Sequence, residues 1–212
     1  MITTRYKPAL NRFLEPIARG IARFGISPST LTLLGPILTS LACWWFIRSR
    51  AVVPFCLTMG VIGVLDGLDG AVARVSGRVT KVGAYLDAMA DRYVEAMVVF
   101  SAAWVSGYWA LSMIVLAGAL LVSYAKARAG MEVPISNLEW PDLMERMERS
   151  TLFLLGLLAS ALVPWRPLGQ DLFWWTLLIL ALLTHLTVAQ RVARAVQLIR
   201  SLGKKAGVAL NP

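Results

Sequence analysis

Apolar residues fall in blocks of roughly 20 along most of the 212-residue chain, and polar residues collect in the short gaps between them. At about 1.5 Å per helical residue, each block can cross a hydrocarbon layer of about 30 Å. The pattern predicts membrane-spanning helices over residues 29–47, 51–75, 82–106, 108–131, 147–165 and 171–199. Ahead of them, residues 5–24 carry apolar positions at helical spacing (Leu10, Phe13, Leu14, Ile17, Ile21 and Phe24) among several basic residues. That alternation suits an amphipathic helix lying in the membrane interface. Ser27-Pro28-Ser29 marks the turn into the first span, and Ser106-Gly107 gives a tight link between the third and fourth. The fold class expected is all-α: an integral membrane protein with six transmembrane helices and an N-terminal interfacial helix. Residues 1–28 form the interfacial part, 29–200 the six-span domain and 201–212 a cytoplasmic tail.

Composition agrees with this. The chain is 58% apolar with a mean hydropathy of +0.66, whereas soluble domains are usually about 45–50% apolar. The net charge of +9 raises the question of nucleic acid. However, the basic residues sit at the ends of the apolar blocks rather than on one soluble face, which suits anionic headgroups and phosphorylated substrates. With both termini inside, 17 of the 21 Lys and Arg residues fall on the inner side and three (Arg48, Arg50, Arg166) on the outer side. The remaining one, Arg92, lies within a span. Such a bias places both termini in the cytoplasm. Most of the eight tryptophans lie near span ends, as in an interfacial aromatic belt. Cys43 and Cys56 lie in apolar blocks without CxxC spacing, so they read as packing residues. The single histidine, His185, reads the same way, with no carboxylate one turn away. Segment 132–142, with two prolines, reads as a cytoplasmic loop.

Four aspartates break the second and third apolar blocks: Asp66, Asp69, Asp87 and Asp91. Each costs about 2.5–3.5 kcal/mol at mid-bilayer, so all four need water, a metal or a basic partner. The i,i+3 spacing of Asp66 and Asp69, and the i,i+4 spacing of Asp87 and Asp91, put each pair on one helix face. Gly63, Gly67, Gly70 and Ala73 beside the first pair, and Gly83, Ala84 and Ala88 beside the second, would let the two helices approach closely. A carboxylate-only set suits a hard divalent cation. Two other readings of these residues stay open: structural ion pairs with Arg74, Arg78 and Arg92, and the lining of a cation transporter or channel. No repeat relates the two halves of the sequence, as it does in many transporters.

The run Asp66-Gly-Leu-Asp69-Gly70-Ala-Val-Ala73-Arg74, then eight residues, then Gly83-Ala-Tyr-Leu-Asp87-Ala-Met-Ala-Asp91, resembles the signature of the CDP-alcohol phosphatidyltransferase family at all eight fixed positions. The resemblance implies transfer of a phosphoalcohol group from a CDP-linked lipid to an acceptor alcohol, with release of CMP. It implies that Asp66, Asp69 and Asp87 ligate Mg²⁺ or Mn²⁺, as one or two ions, with Asp91 as general base or further metal ligand. Asp66, Asp69, Gly70, Ala73 and Arg74 would contact the cytidine diphosphate, with Gly70 and Ala73 leaving room for the nucleotide. Pro28, Ser29 and Thr32 form a further nucleotide element; Ser29 departs from the Asp or Asn that relatives carry there. Homodimers are common among such proteins.

A second likeness concerns the acceptor. Ser123-Tyr124-Ala-Lys126-Ala-Arg128-Ala, followed by Glu145-Arg146-Met-Glu148-Arg149, is similar to segments of the family members that use inositol phosphate, and Gln190-Arg191 to their C-terminal element. Gly130 departs from the glutamate that closes the first segment in those members. The resemblance implies that Ser123, Lys126, Arg128, Arg146, Arg149 and Arg191 bind the acceptor phosphate. Arginine suits that task through its bidentate fork. Glycerol phosphate, serine or another polyol remain as alternative acceptors, and ordinary headgroup charge remains as another reading of the basic set.

Overall fold

The computed structural model describes residues 15–23, 28–133 and 143–205. Of the expected interfacial helix, residues 15–23 are helical (α1), and 5–14 and 24 lie outside the described residues. So do 134–142 of the cytoplasmic loop and 206–212 of the tail. Six longer helices follow: α2 (Pro28–Ser49), α3 (Val52–Val75), α4 (Lys81–Ser106), α5 (Trp109–Glu132), α6 (Arg146–Leu162) and α7 (Leu172–Lys205). A 3₁₀ turn, Pro167–Gly169, precedes α7. There is no strand among the described residues.

Local chemistry sets the helix ends. Pro54 falls in the first turn of α3, where its missing N–H is not needed. Thr80 caps α4 by accepting from the Gly83 N–H at 3.0 Å. Gly107 closes α4 in the left-handed region, φ 81°, a conformation that glycine adopts without penalty. Glu145 and Glu148 form a reciprocal capping box at the start of α6. At the end bearing the α4–α5 link, the Tyr108 hydroxyl donates to Asp171 at 2.9 Å. The other Asp171 oxygen accepts from the Trp174 N–H at the start of α7.

Four of these helices are long and apolar enough to cross a membrane: Thr30–Ser49, Val52–Val75, Trp109–Glu132 and Leu172–Leu202. Two helices expected as spans differ from them for plain reasons. α4 carries Lys81, Asp87, Asp91, Arg92 and Glu95, and α6 has 17 residues with Arg146, Glu148 and Arg149 in its first turn. The protein is a multi-pass membrane protein.

α2 packs against both α3 and α4, α7 against α5 and α6, and the two groups meet through α4–α5 and α3–α6. The main core includes Phe46 stacked on Phe55 at 4.0 Å, and Phe153 edge-on to Phe173 at 5.2 Å. A smaller core joins Ala18 of α1 to Leu68, Ala71 and Val72 of α3. Cys43 and Cys56 are buried and unbonded to each other, as packing residues should be. His185 Nδ1 meets the Ala181 carbonyl at 3.0 Å.

The expected close approach of α3 to α4 is not what the fold uses. These two are not among the extensively packed pairs, because α2 lies against both of them. A Cβ on Gly63 would meet nothing within 4 Å, and one on Gly83 would meet the Thr80 hydroxyl of its own cap. The glycines that permit tight packing are elsewhere. A Cβ on Gly118 of α5 would overlap Thr184 and lie 2.9 Å from the His185 ring, and one on Gly156 of α6 would overlap the Thr176 side chain. Gly156→Ala should therefore lower thermal stability in detergent, by about 1–3 kcal/mol, through overpacking of α6 on α7. The same substitution at Gly63 should leave the melting temperature within a degree or two.

Candidate active site

Asp66 and Asp69 lie on α3, and Asp87 and Asp91 on α4. One oxygen from each of Asp66, Asp87 and Asp91 lies within 4.8 Å of the others. Asp69 stands beside this trio, near enough for its charge to act on Asp87. It is 8% exposed and accepts the Thr32 hydroxyl at 2.7 Å. Thr32 thus reaches the carboxylates through Asp69. α2 also contributes Gly35, where a Cβ would come to 3.9 Å from Asp66 Oδ1. The side chains of Pro28 and Ser29 lie outside the described residues.

The donor set fits a hard divalent ion. It is all carboxylate oxygen, and Asp91 Oδ1 is buried with no hydrogen-bond partner in the structure. Oxygens within 4.8 Å of one another need only a small side-chain adjustment to reach an ion with ligands at about 2.0–2.2 Å. A Cβ on Gly70 would lie 3.3 Å from Arg74 Nη1, so its missing side chain leaves room for that guanidinium. Ala73 is half-buried on the same helix.

The basic residues differ in their surroundings. Arg146, the first residue of α6, reaches the carboxylates: Nη2 lies 3.2 Å from Asp66 Oδ2, and Nη1 contacts Asp91 Oδ2. Arg149, one turn further on, is 4% exposed; it donates to Glu95 at 3.1 Å and its Nη1 lies 3.5 Å from the Met144 carbonyl. Arg149 Nε is buried with no partner in the structure. Arg191 of α7, 6% exposed, donates to the Val122 carbonyl, and its charge acts on Arg149. Ser123 accepts from Arg92. Lys126 is half-buried on α5. Arg128 stands apart, paired with Glu132 on an exposed face at 2.6 Å, a kind of contact that contributes little.

Glu95 was not among the residues the sequence reading selected. Its carboxylate lies 3.1 Å from both Arg92 and Arg149, which makes it the hub of a network across α4, α5 and α6. The signal was present, since Asp87, Asp91 and Glu95 repeat at i,i+4 along one face of α4.

A carboxylate trio that fits a hard cation thus stands beside buried arginines. Residues 25–187 match the CDP-alcohol phosphatidyltransferase family, and the chain belongs to it. It is a transferase of phospholipid synthesis that uses a divalent cation. It is 31% identical to the archaetidylinositol phosphate synthase of Pyrococcus horikoshii, over 91% of this chain and 95% of that one. It is also 31% identical to the phosphatidylinositol phosphate synthase of Mycobacterium tuberculosis, over 88% and 87% respectively. The crystal structure of a Mycobacterium tuberculosis phosphatidylinositol phosphate synthase with CDP-DAG bound superposes with a TM-score of 0.76. That match has 28% identity and covers 87% of this chain and 94% of the other. A second structure of that synthase, in complex with manganese and citrate, gives 0.75 at 28% identity, covering 86% of this chain and 88% of that one.

Proposed function

We propose that this protein transfers the phosphatidyl-type group of a CDP-linked lipid to inositol phosphate and releases CMP. The observation that carries the acceptor is Arg149. It is a buried guanidinium with an unpartnered Nε–H, one helical turn from Arg146 and under the influence of Arg191. A buried guanidinium with an open N–H suits an anion, and a phosphorylated acceptor supplies one. Two relatives named for inositol-phosphate lipid synthesis support the same acceptor.

Asp66, Asp69, Asp87 and the Oδ2 side of Asp91 hold the cation, with the Thr32 hydroxyl fixing Asp69. A bound Mg²⁺ or Mn²⁺ neutralises the diphosphate and the charge that builds on departing CMP. Arg74, in the space left by Gly70, faces the nucleotide together with Ala73 and the Pro28–Thr32 element. Asp91, on the same face of α4 as Asp87, takes the proton of the acceptor hydroxyl; its buried Oδ1 has no other claim on it. The hydroxyl oxygen then bonds to the phosphorus nearer the lipid, and the bond from that phosphorus to the bridging oxygen breaks. Ser123, Lys126, Arg146, Arg149 and Arg191 hold the acceptor phosphate, and Arg128 assists from the rim.

The same reading places α1 in the interface as an amphipathic helix, and adds α4 and α6 to the four long apolar helices to make six spans. Both termini and the site then face the cytoplasm, as the charge bias favours. A homodimer belongs to this reading on the strength of the family resemblance alone.

CMP release from CDP-diacylglycerol or its ether counterpart, with Mn²⁺ and a panel of acceptors, tests the proposal. Turnover with inositol phosphate, and none with serine, glycerol phosphate or free inositol, is expected. Turnover with another member of the panel would keep the reaction and remove the acceptor assignment.

A further inference from the structure

Arg146 touches one of the two parts of the proposed reaction and stands one turn from the other. Its guanidinium bridges Asp66 and Asp91, two of the three carboxylates grouped for a cation. Three carboxylates packed this closely repel one another, and a guanidinium relieves that repulsion as a divalent ion would. Both cations draw on the same two carboxylates, so they compete. The capping box of Glu145 and Glu148, with the Glu145 N–H donating to Glu148 at 3.0 Å, pins the backbone on either side. Arg146 can therefore leave only by rotating its side chain. One turn along the same helix face lies Arg149, with its buried unpartnered Nε–H.

We infer that Arg146 is a displaceable counterion. It holds Asp66 and Asp91 until a divalent cation takes their oxygens, and its released guanidinium then completes, with Arg149, the grip on the acceptor phosphate. This rests on the reading of the site given above, and makes Arg146 a positioning residue that couples cation binding to acceptor binding. The coupling is reciprocal: the acceptor phosphate draws Arg146 away and tightens the cation.

Mn²⁺ titration of the purified full-length protein, followed by the EPR signal of the free ion, tests this without donor lipid or turnover. Arg146→Met keeps the bulk of the side chain and removes its charge; Arg146→Lys keeps the charge. Arg146→Met should bind Mn²⁺ about fivefold or more tightly than the wild type, and Arg146→Lys should stay near it. Inositol phosphate should tighten Mn²⁺ binding in the wild type by about fivefold and in Arg146→Met by less than about twofold. Asp91→Asn, which should weaken Mn²⁺ binding, shows that the titration reads this site. Unchanged or weaker Mn²⁺ binding in Arg146→Met would overturn the inference. Tighter Mn²⁺ binding with undiminished coupling would overturn the release toward the acceptor. If inositol phosphate has no effect on the wild type, inorganic phosphate replaces it as the anion. Coupling to phosphate alone would remove the inositol acceptor and keep the role of Arg146, and coupling to neither anion would overturn that role.

Discussion

Asp91→Asn should lower CMP release by about 10³-fold at saturating donor and acceptor, while the protein stays folded. Asparagine preserves the shape of the side chain and removes both its charge and its basicity. The buried oxygen without a hydrogen-bond partner would become an amide atom unable to take a proton. The ion pair to Arg146 would also lose its carboxylate. Steady-state release of CMP across a range of Mn²⁺ concentrations separates two contributions. A loss that excess Mn²⁺ repairs is one of ligation, and a loss that persists is one of proton transfer. A variant retaining more than a tenth of the wild-type rate would remove Asp91 from the role of base.

The second large effect is on stability. Glu95→Ala should destabilise the protein by about 3–5 kcal/mol, the usual result of stripping one partner from a buried ion pair. Arg149 is 4% exposed and would keep only a 3.5 Å contact to the Met144 carbonyl. Arg92 would lose its carboxylate as well and keep Ser123. Thermal unfolding in detergent reads this effect, and Glu95→Gln should lose less because it retains one acceptor oxygen. The double variant Glu95→Ala/Arg149→Met should recover most of the loss, since it removes the buried charge along with its partner. If the double variant is no more stable than the single one, the cost lies in shape rather than in charge.

The sequence made the helices and the four aspartates legible because both depend on local pattern. Runs of apolar residues set the bounds of α2 to α6 to within about three positions, while α7 runs on to Lys205. The i,i+3 and i,i+4 spacings put each aspartate pair on one helix face. What the pattern could not carry was which helix lies against which. Small residues beside Asp66 and Asp87 suggested a tight α3–α4 pair, yet α2 lies against both helices. One of those glycines, Gly70, stands beside the Arg74 side chain. The close approaches at Gly118 and Gly156 depend on Thr184, His185 and Thr176 of α7, residues distant in sequence that carry no mark of their partners. Glu95 was missed for the opposite reason. It extends a visible stripe, but the recognised motif ends at Asp91, four residues earlier. Arg128 pairs with Glu132 on its own helix, a contact that the i,i+4 spacing already allows.

The five charges on α4 bear on how the chain is inserted during synthesis. Glu95 is neutralised in part by Arg149, which lies 54 residues further along. At about 5–20 residues per second, that partner arrives some 3–10 s after Glu95 has been made. During that interval α4 is a poor candidate for release into lipid, since each of its acidic side chains carries an insertion cost of about 2.5–3.5 kcal/mol. Its available shelter is the surface of α2, already synthesised and its neighbour in the finished fold. A nascent chain halted before α6 should therefore stay extractable at the insertion machinery, and become resistant once Arg149 has emerged.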